Sequence, residues 1–182
     1  MKIFYIEKDK FLQNIDIETL EQFSDGRVYK SQEKYIEHLC GLYLVKNVAK
    51  NFYNIENPEI EIKNSKPFLK NCNLFFSISH SENIVAAAFH NKNIGFDIEK
   101  IKQRNYEEIL ERYDIKKDNP SLEDFYKFWT LHEAQIKLGN SYVSSFTIPF
   151  GKDYILSCVS DEVIISEFDI IKWYADNCLR TA

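Results

Sequence analysis

Residues 74–98 have the sequence LFFSISHSENIVAAAFHNKNIGFDI. Three runs of apolar and β-branched residues, 74–79, 84–89 and 93–98, are separated by the short polar segments 80–83 and 90–92. Short apolar runs between polar segments are typical of strands that pair with their neighbours along the chain. We therefore expect an antiparallel meander over this stretch.

Helical and strand patterns alternate on both sides of the meander. Apolar residues recur at helical spacing over 31–53, a period-two strand at 59–63 is broken at 64–67, and a short helix is expected at 105–113. A stronger helix spans 121–138, because Ser121 and Asp124 form a start signal and Gly139 a stop signal. Three further strands are expected, at 143–148, 154–159 and 163–168.

The order helix, strands, helix, strands predicts an α+β protein of two similar halves, residues 1–94 and 95–182, within one compact unit. A chain of 182 residues with 45% hydrophobic and 15% aromatic content is long and apolar enough to fold. Its net charge of -5 argues against nucleic acid as a partner. We expect a monomer, since two halves in one chain have less need to self-associate.

The cysteine spacing and the N-terminal residues indicate in which cellular compartment the protein is expected. Four widely spaced cysteines form no Cys-x-x-Cys pair and are expected to be free thiols. Charged residues follow Met1 too soon for a signal peptide, and no apolar run approaches the roughly 18 residues of a membrane span. We expect a cytoplasmic protein with no membrane partner.

Two carboxylates in the predicted strand 93–98 and its end could share a cation. Asp97 and Glu99 are two residues apart, so both point from one face of a strand, while Phe96 and Ile98 point the other way. Adjacent like charges are unfavourable unless a cation compensates them. The alternatives are a divalent metal ion or a solvated strand end beside Lys100.

The helix at 121–138 carries a second set of candidate residues. Trp129, Glu133 and Lys137 follow at four-residue intervals and lie along one stripe. Glu133 and Lys137 could serve chemistry, or they could form an ordinary surface ion pair that contributes about 0.2–0.5 kcal/mol.

Phosphate-binding groups are available elsewhere. The segment 77–81 contains three hydroxyls and the imidazole of His80, which can donate hydrogen bonds to phosphate oxygens, although a polar turn after a strand is common. Lys30 before the first helix and Lys66 in the expected loop at 64–67 could supply cations to phosphate groups. The alternative is that both are ordinary surface lysines in contact with solvent.

Four segments in this order resemble the successive motifs of 4′-phosphopantetheinyl transferases of the surfactin-synthetase-activating type. They are Lys66-Pro67, the strand end 76–81, Gly95-Phe96-Asp97-Ile98-Glu99, and residues 128–137 with the sequence FWTLHEAQIK. The resemblance covers about residues 30–139, and the last two segments are its most specific parts.

The resemblance implies a fold, a reaction and a metal. The two halves would be related by a pseudo-two-fold axis, with coenzyme A in the cleft between them. Asp97, Glu99 and Glu133 would coordinate Mg²⁺, and a serine hydroxyl of an apo acyl or peptidyl carrier protein would attack the β-phosphate of coenzyme A. Glu133 would act as the base, directly or through a water, and Lys137 would face the phosphates.

The coenzyme-binding residues implied by the resemblance come from several segments. Ser79 and His80 would meet phosphates, Lys30 would reach the 3′-phosphate, and Lys66 with Pro67 would line the nucleotide side of the cleft. The carrier protein would serve fatty-acid, polyketide or nonribosomal-peptide synthesis.

Two departures from the family pattern leave other functions open. His132, a coenzyme-binding position by the resemblance, stands where the family usually has a lysine immediately before the metal-binding glutamate, so a permanent cation is replaced by a partly charged group. Leu138-Gly139-Asn140 is one residue tighter than the common spacing after the lysine. The alternatives are a homologue that binds coenzyme A or a carrier protein without transfer, and a metal-dependent nuclease.

Overall fold

The computed structural model describes residues 1–63, 66–115, 119–163 and 168–175. Its helices, in chain order, are α1 (Lys8–Leu12), α2 (Ile17–Glu21), α3 (Gln32–Asn51), α4 (Glu107–Arg112) and α5 (Leu122–Leu138). Its strands are β1 (Lys2–Glu7), β2 (Ile60–Lys63), β3 (Lys66–Leu69), β4 (Phe75–Ser81), β5 (Ile84–His90), β6 (Ile94–Lys100), β7 (Ser144–Phe150), β8 (Tyr154–Ser160) and β9 (Asp169–Lys172). The mixed helix and sheet content confirms the α+β class.

The first sheet has the strand order β4-β5-β1-β9. Strand β1 pairs antiparallel with β5 and parallel with β9, so residues from both ends of the chain share one sheet. The long helix α3 covers one face of this sheet, where Leu44 and Val48 join Phe4, Val85 and Phe89 in a buried cluster. Removing these side chains from water stabilises the helix on the sheet.

The second sheet has the order β6-β8-β7, with all pairs antiparallel. One of its faces packs on the first sheet, because Phe96, Ile98 and Cys158 share a buried cluster with Ile3 and Ala86. Helix α5 covers the other face. The two long helices therefore lie outside two sheets that face each other.

The bounds of α5 follow from its end signals. Ser121 Oγ accepts a hydrogen bond from Asp124 N, the Asp124 carboxylate accepts one from Ser121 N, and Gly139 ends the helix at φ +83°. These bonds satisfy backbone groups that a helix end leaves unpaired. The predictions of helices over 31–53, 105–113 and 121–138 are confirmed within a few residues.

The predicted meander is correct for its first two strands and wrong for the third. Strands β4 and β5 form an antiparallel pair, but β6 leaves them and pairs with β8 in the second sheet. Its other edge faces β4, where serine hydroxyls take the backbone N–H groups that a neighbouring strand would otherwise bind. The local spacing of apolar residues indicates three strands, but it does not show that serine side chains replace backbone pairing between β4 and β6.

Three other regions differ from expectation. Residues 66–69 form β3, which pairs antiparallel with β2, so Lys66 and Pro67 lie in a strand and the prediction of a loop there is wrong. Strand β1 and the short helices α1 and α2 were not predicted. The expected strand at 163–168 falls mostly outside the described residues, and β9 begins at Asp169.

Cys40, Cys72 and Cys158 are free thiols, as expected, while Cys178 lies outside the described residues. None of the helices in the described ranges has the length and apolar character that crossing a bilayer requires.

Candidate active site

Strands β4 and β6 are joined by serine side chains. Residues two apart on a strand point to the same side, so three serines of β4 can face β6 together. Their hydroxyl oxygens accept hydrogen bonds from backbone N–H groups of β6: Ser77 from Phe96 (3.0 Å), Ser79 from Ile98 (3.3 Å) and Ser81 from Lys100 (3.0 Å). The two sheets therefore meet along a row of hydroxyls, which we call the serine ladder.

Two of these hydroxyls also hold the predicted carboxylates. Ser79 Oγ donates to Asp97 Oδ1 at 2.7 Å, and Ser81 Oγ donates to Glu99 Oε2 at 2.6 Å. Asp97 is only 4% exposed, whereas Glu99 is half-buried. Burial raises the pKa of Glu99, as does the neighbouring Asp97, while the bond from Ser81 opposes the rise. The pair is therefore held by hydrogen bonds, with Asp97 buried and Glu99 half-buried, and it is not a solvated strand end.

Lys137 of α5 provides a cation for one carboxylate. Its Nζ lies 2.7 Å from Asp97 Oδ1, so this oxygen is bound by both an ammonium and a hydroxyl. Asp97 Oδ2 is buried and has no hydrogen-bond partner within the described ranges. A buried carboxylate oxygen without a partner is costly and calls for a donor or a cation.

Gly95 allows α5 to approach β6 closely enough for this contact. A Cβ atom at Gly95 would lie 1.9 Å from the backbone oxygen of Ala134 and 2.7 Å from the backbone nitrogen of Leu138. Only a residue without a side chain fits between strand and helix backbone at this point. The glycine of the Gly95–Glu99 motif thus sets the distance between Asp97 and Lys137.

Glu133 is half-buried on α5, one turn before Lys137. No group of three or more His, Cys, Asp or Glu side chains in the described part of the chain is arranged to hold a metal ion. Asp97 and Glu99 are brought side by side by the serine ladder, but Glu133 does not complete a three-carboxylate group with them in this conformation.

Lys66 is engaged in the fold. Its Nζ donates to Asn93 Oδ1 (2.5 Å), to the backbone oxygen of Ile94 (2.9 Å) and to that of Leu138 (3.3 Å), so it connects β3 to the start of β6 and the end of α5. Burial lowers the pKa of Lys66 to about 8. This ammonium neutralises the C-terminal end of the α5 helix dipole.

His80 is exposed at the end of β4 but has a buried acidic partner. Its Nδ1 lies 3.2 Å from Glu37 Oε2, and Glu37 Oε1 accepts a hydrogen bond from Lys8 Nζ at 2.7 Å. Burial lowers the pKa of His80, although the charge of Glu37 acts in the opposite direction. Sequence reasoning missed Glu37 and Lys8, because neither belongs to a local motif and their contact joins residues 29 apart.

His132 lies in a cluster of aromatic rings. Its ring centroid is 4.6 Å from that of Tyr113 and 5.8 Å from that of Phe128, on which it stacks. Residue 132 is about 200° around the helix from Thr130, which faces the second sheet through a 2.7 Å contact with Ser157. His132 therefore points away from the carboxylates.

Two cavities lie on either side of β4. The one toward α5 measures about 320 Å³ and is lined by Lys66 and Lys137 among others, and the one toward α3 measures about 330 Å³ and is lined by Arg27, Lys34 and His80 among others. Both are lined by Pro67 and Ile78, so the two cavities adjoin at these residues, and we call the pair of cavities the groove.

Lys30 does not line either cavity. It is exposed in the turn before α3, next to the helix N-cap Ser31. Arg27 and Lys34 on the two sides of it do line the groove, and sequence reasoning had singled out neither.

Comparison with known proteins finds several relatives that are all named 4′-phosphopantetheinyl transferases. The 4′-phosphopantetheinyl transferase psf-1 of Bacillus pumilus is 30% identical over 183 residues, which cover 84% of this chain and 76% of the relative. The 4′-phosphopantetheinyl transferase ffp of Bacillus subtilis is 28% identical over 178 residues, which cover 84% of this chain and 78% of the relative. The 4′-phosphopantetheinyl transferase gsp of Aneurinibacillus migulanus is 30% identical over 111 residues, 54% of this chain and 46% of the relative. No family model matches the chain.

Proposed function

The chain belongs to the 4′-phosphopantetheinyl transferases, and on that premise we propose that it transfers the 4′-phosphopantetheine group of coenzyme A to a serine of an apo carrier protein in a Mg²⁺-dependent reaction. The observation that carries the proposal is the pair of buried Asp97 and half-buried Glu99, held by serine hydroxyls beside Lys137. Lys137 lines the groove, and an ammonium beside carboxylates provides groups that a pyrophosphate and its metal ion require.

The residues present fit a hard divalent cation. Mg²⁺ is commonly held by one or two carboxylates and substrate phosphates, and it keeps several waters. Asp97 Oδ2 is buried and unpartnered in the described structure, which supports Asp97 as a ligand. Asp97 and Glu99 would hold the ion, joined by Glu133 once its side chain turns toward them, and the bound ion would supply positive charge to the pyrophosphate.

In the proposed reaction, the carrier serine oxygen forms a bond to the β-phosphorus of coenzyme A. The bond from that phosphorus to the bridging oxygen breaks, and adenosine 3′,5′-bisphosphate leaves. Glu133 accepts the serine proton, directly or through a water, because it lies on the same stripe of α5 as Lys137. Lys137 offsets the negative charge that develops on the phosphate oxygens.

The groove supports a path for the coenzyme. The cavity beside α5 would take the pyrophosphate and pantetheine, and the cavity beside α3 would take the adenosine 3′-phosphate, where Arg27, Lys34 and His80 supply donors. Pro67, which lines both cavities, would line the nucleotide side, whereas Lys66 lines only the cavity beside α5. Lys30 would reach the 3′-phosphate only if its exposed side chain turns toward the groove.

We also propose that the two halves, residues 1–94 and 95–182, are related by a pseudo-two-fold axis with the groove as their cleft. The support is that α3 and α5 each cover the outer face of one sheet. Strand β9 lies in residues 95–182 but pairs with β1 in the first sheet, so the second half contributes one strand to the sheet of the first half.

The test is modification of a carrier protein. The protein is incubated with Mg²⁺, coenzyme A and apo carrier proteins from fatty-acid, polyketide and nonribosomal-peptide systems, and mass spectrometry detects the added phosphopantetheine. Asp97→Ala and Glu133→Ala are expected to lower the rate by about 100-fold or more while the fold is kept. Glu123→Ala is the matched control for Glu133, because Glu123 lies on the same helix in an exposed pair with Lys127.

The outcomes separate the alternatives. Coenzyme A binding without modification of any carrier would favour a non-catalytic homologue, which the position of His132 first suggested. Metal-dependent cleavage of DNA would favour a nuclease. Near-normal transfer by the Asp97→Ala variant would contradict the metal assignment.

A further inference from the structure

The hydroxyl of Ser79 is fully used inside the protein. A serine hydroxyl has one proton to donate and two lone pairs that accept. The Ser79 proton goes to Asp97 Oδ1, and its oxygen accepts the N–H of Ile98. Ser79 is 5% exposed. It has no proton left for a phosphate oxygen, which is the contact that the family resemblance implies for this residue.

The same arrangement recurs two residues further along both strands. Ser81 donates to Glu99 Oε2 and accepts the N–H of Lys100. In both cases one hydroxyl binds the carboxylate of one residue and the backbone N–H of the next. Ser79 and Ser81 are two residues apart on β4, as Asp97 and Glu99 are on β6, so each carboxylate binds its own hydroxyl.

Each hydroxyl fixes one oxygen of its carboxylate. A charge-assisted O–H···O⁻ bond of 2.6–2.7 Å restrains the side-chain torsions of the acceptor. Because Asp97 Oδ1 is held by Ser79 and Lys137, the orientation of Oδ2 is also determined. A pair of like charges that is aligned before a ligand arrives loses less conformational freedom on binding.

We propose that Ser79 and Ser81 are positioning residues that orient Asp97 and Glu99 toward a divalent cation, and that Ser79 does not bind coenzyme phosphate. The inference rests on the proposed function to the extent that it takes these carboxylates as metal ligands. Hydrogen bonds of this kind behind metal ligands typically change metal affinity or activity by about 10–100-fold when removed.

Ser77 is a matched control within the same ladder. Its hydroxyl bridges to β6 through the N–H of Phe96, as the other two do through theirs, but the residue before Phe96 is Gly95 and offers no carboxylate. Ser77→Ala therefore removes the link between the strands without removing a hydroxyl from a carboxylate. A loss of Mn²⁺ affinity that is specific to the Ser79 and Ser81 variants must therefore come from the carboxylates.

The experiment measures Mn²⁺ binding to the whole protein by electron paramagnetic resonance, with coenzyme A present, for wild type and the Ser77→Ala, Ser79→Ala and Ser81→Ala variants. Thermal unfolding reports the loss of the strand link, and carrier modification is followed against Mg²⁺ concentration. We expect Ser79→Ala and Ser81→Ala to weaken Mn²⁺ binding about 10–100-fold and to need correspondingly more Mg²⁺. Ser77→Ala should lower the unfolding temperature and keep the wild-type Mn²⁺ affinity.

Two results would overturn the inference. Equal Mn²⁺ affinity in Ser79→Ala and Ser77→Ala would mean that the serines only link the strands. A higher KM for coenzyme A with unchanged Mn²⁺ affinity would mean that Ser79 binds phosphate. If an alanine variant unfolds, Ser79→Cys fills the space of the hydroxyl and replaces the donor with a weak one, and the same comparison applies.

Failure of the proposed function gives a different pattern. Wild type that binds Mn²⁺ more tightly than Ser79→Ala and Ser81→Ala but modifies no carrier protein would refute transfer and support the positioning role. Normal carrier modification with the same Mn²⁺ affinity in all four proteins would refute the positioning role alone.

Discussion

The substitution Gly95→Ala tests the contact on which the site geometry depends. The new Cβ would lie 1.9 Å from Ala134 O, while real Cβ atoms essentially never come within 3.0 Å of such a neighbour, so strand and helix must separate by about 1 Å. The obstructing atoms belong to helix backbone and cannot rotate away. Overpacking costs about 1–3 kcal/mol, and we expect the upper end of this range.

The assay combines thermal unfolding with carrier modification. A loss of about 3 kcal/mol lowers the midpoint of a chain of this size by about 6–12 °C. Transfer should also fall, because Lys137 and Asp97, now 2.7 Å apart, are carried on the two elements that separate. The control is Gly41→Ala in α3, where the nearest atom is a side-chain methyl of Ile78 at 3.0 Å that can adjust. A Gly95→Ala midpoint as close to wild type as that of Gly41→Ala would refute the reasoning.

Three other predictions follow from single contacts. Ser121→Ala should lower the free energy of unfolding by about 1 kcal/mol, because it removes the side-chain cap of α5. Ser31→Ala should lower it less, because the Ser31 side chain makes no capping bond at the start of α3. Chemical denaturation of both variants measures the difference. Folding lowers the pKa of Lys66 from 10.5 to about 8, so between these pH values the unfolded chain binds more protons than the folded one. The free energy of unfolding of wild type relative to Lys66→Met should therefore rise as the pH increases from about 8 to 10. A pH series of unfolding curves with no such rise would contradict the burial of this ammonium. His132→Lys should leave transfer unchanged, because residue 132 points away from the carboxylates, and a large loss in the carrier assay would show that the ring itself has a role.

Local signals were sufficient for the elements that carry the site. The end signals Ser121 and Gly139 and the four-residue spacing of Glu133 and Lys137 predicted α5 and its stripe, because capping and helical periodicity depend on neighbours along the chain. The same reasoning put Asp97 and Glu99 on one face of a strand, as found.

Contacts between distant segments could not be predicted in this way. The hydroxyls of segment 77–81 were interpreted as possible phosphate donors or as part of an ordinary polar turn, since nothing in their sequence indicates that β6 would present N–H groups to them. Glu37 was overlooked because its partners Lys8 and His80 come from separate elements. His132 was expected near the coenzyme through the family pattern, which stays a prediction; its contacts with the rings of Tyr113 and Phe128 were not predicted.

The parallel pairing of β1 with β9 has a consequence during synthesis. Lys2 and Asp169 are paired across 167 residues, so the edge of β1 that binds β9 remains open until residues 169–172 have left the ribosome. At translation rates of about 5–20 residues per second, this interval lasts about 10–30 s. An unpaired strand edge is a template for pairing with other chains. Nascent chains of this protein are therefore most exposed to aggregation and strand exchange just before residues 169–172 emerge.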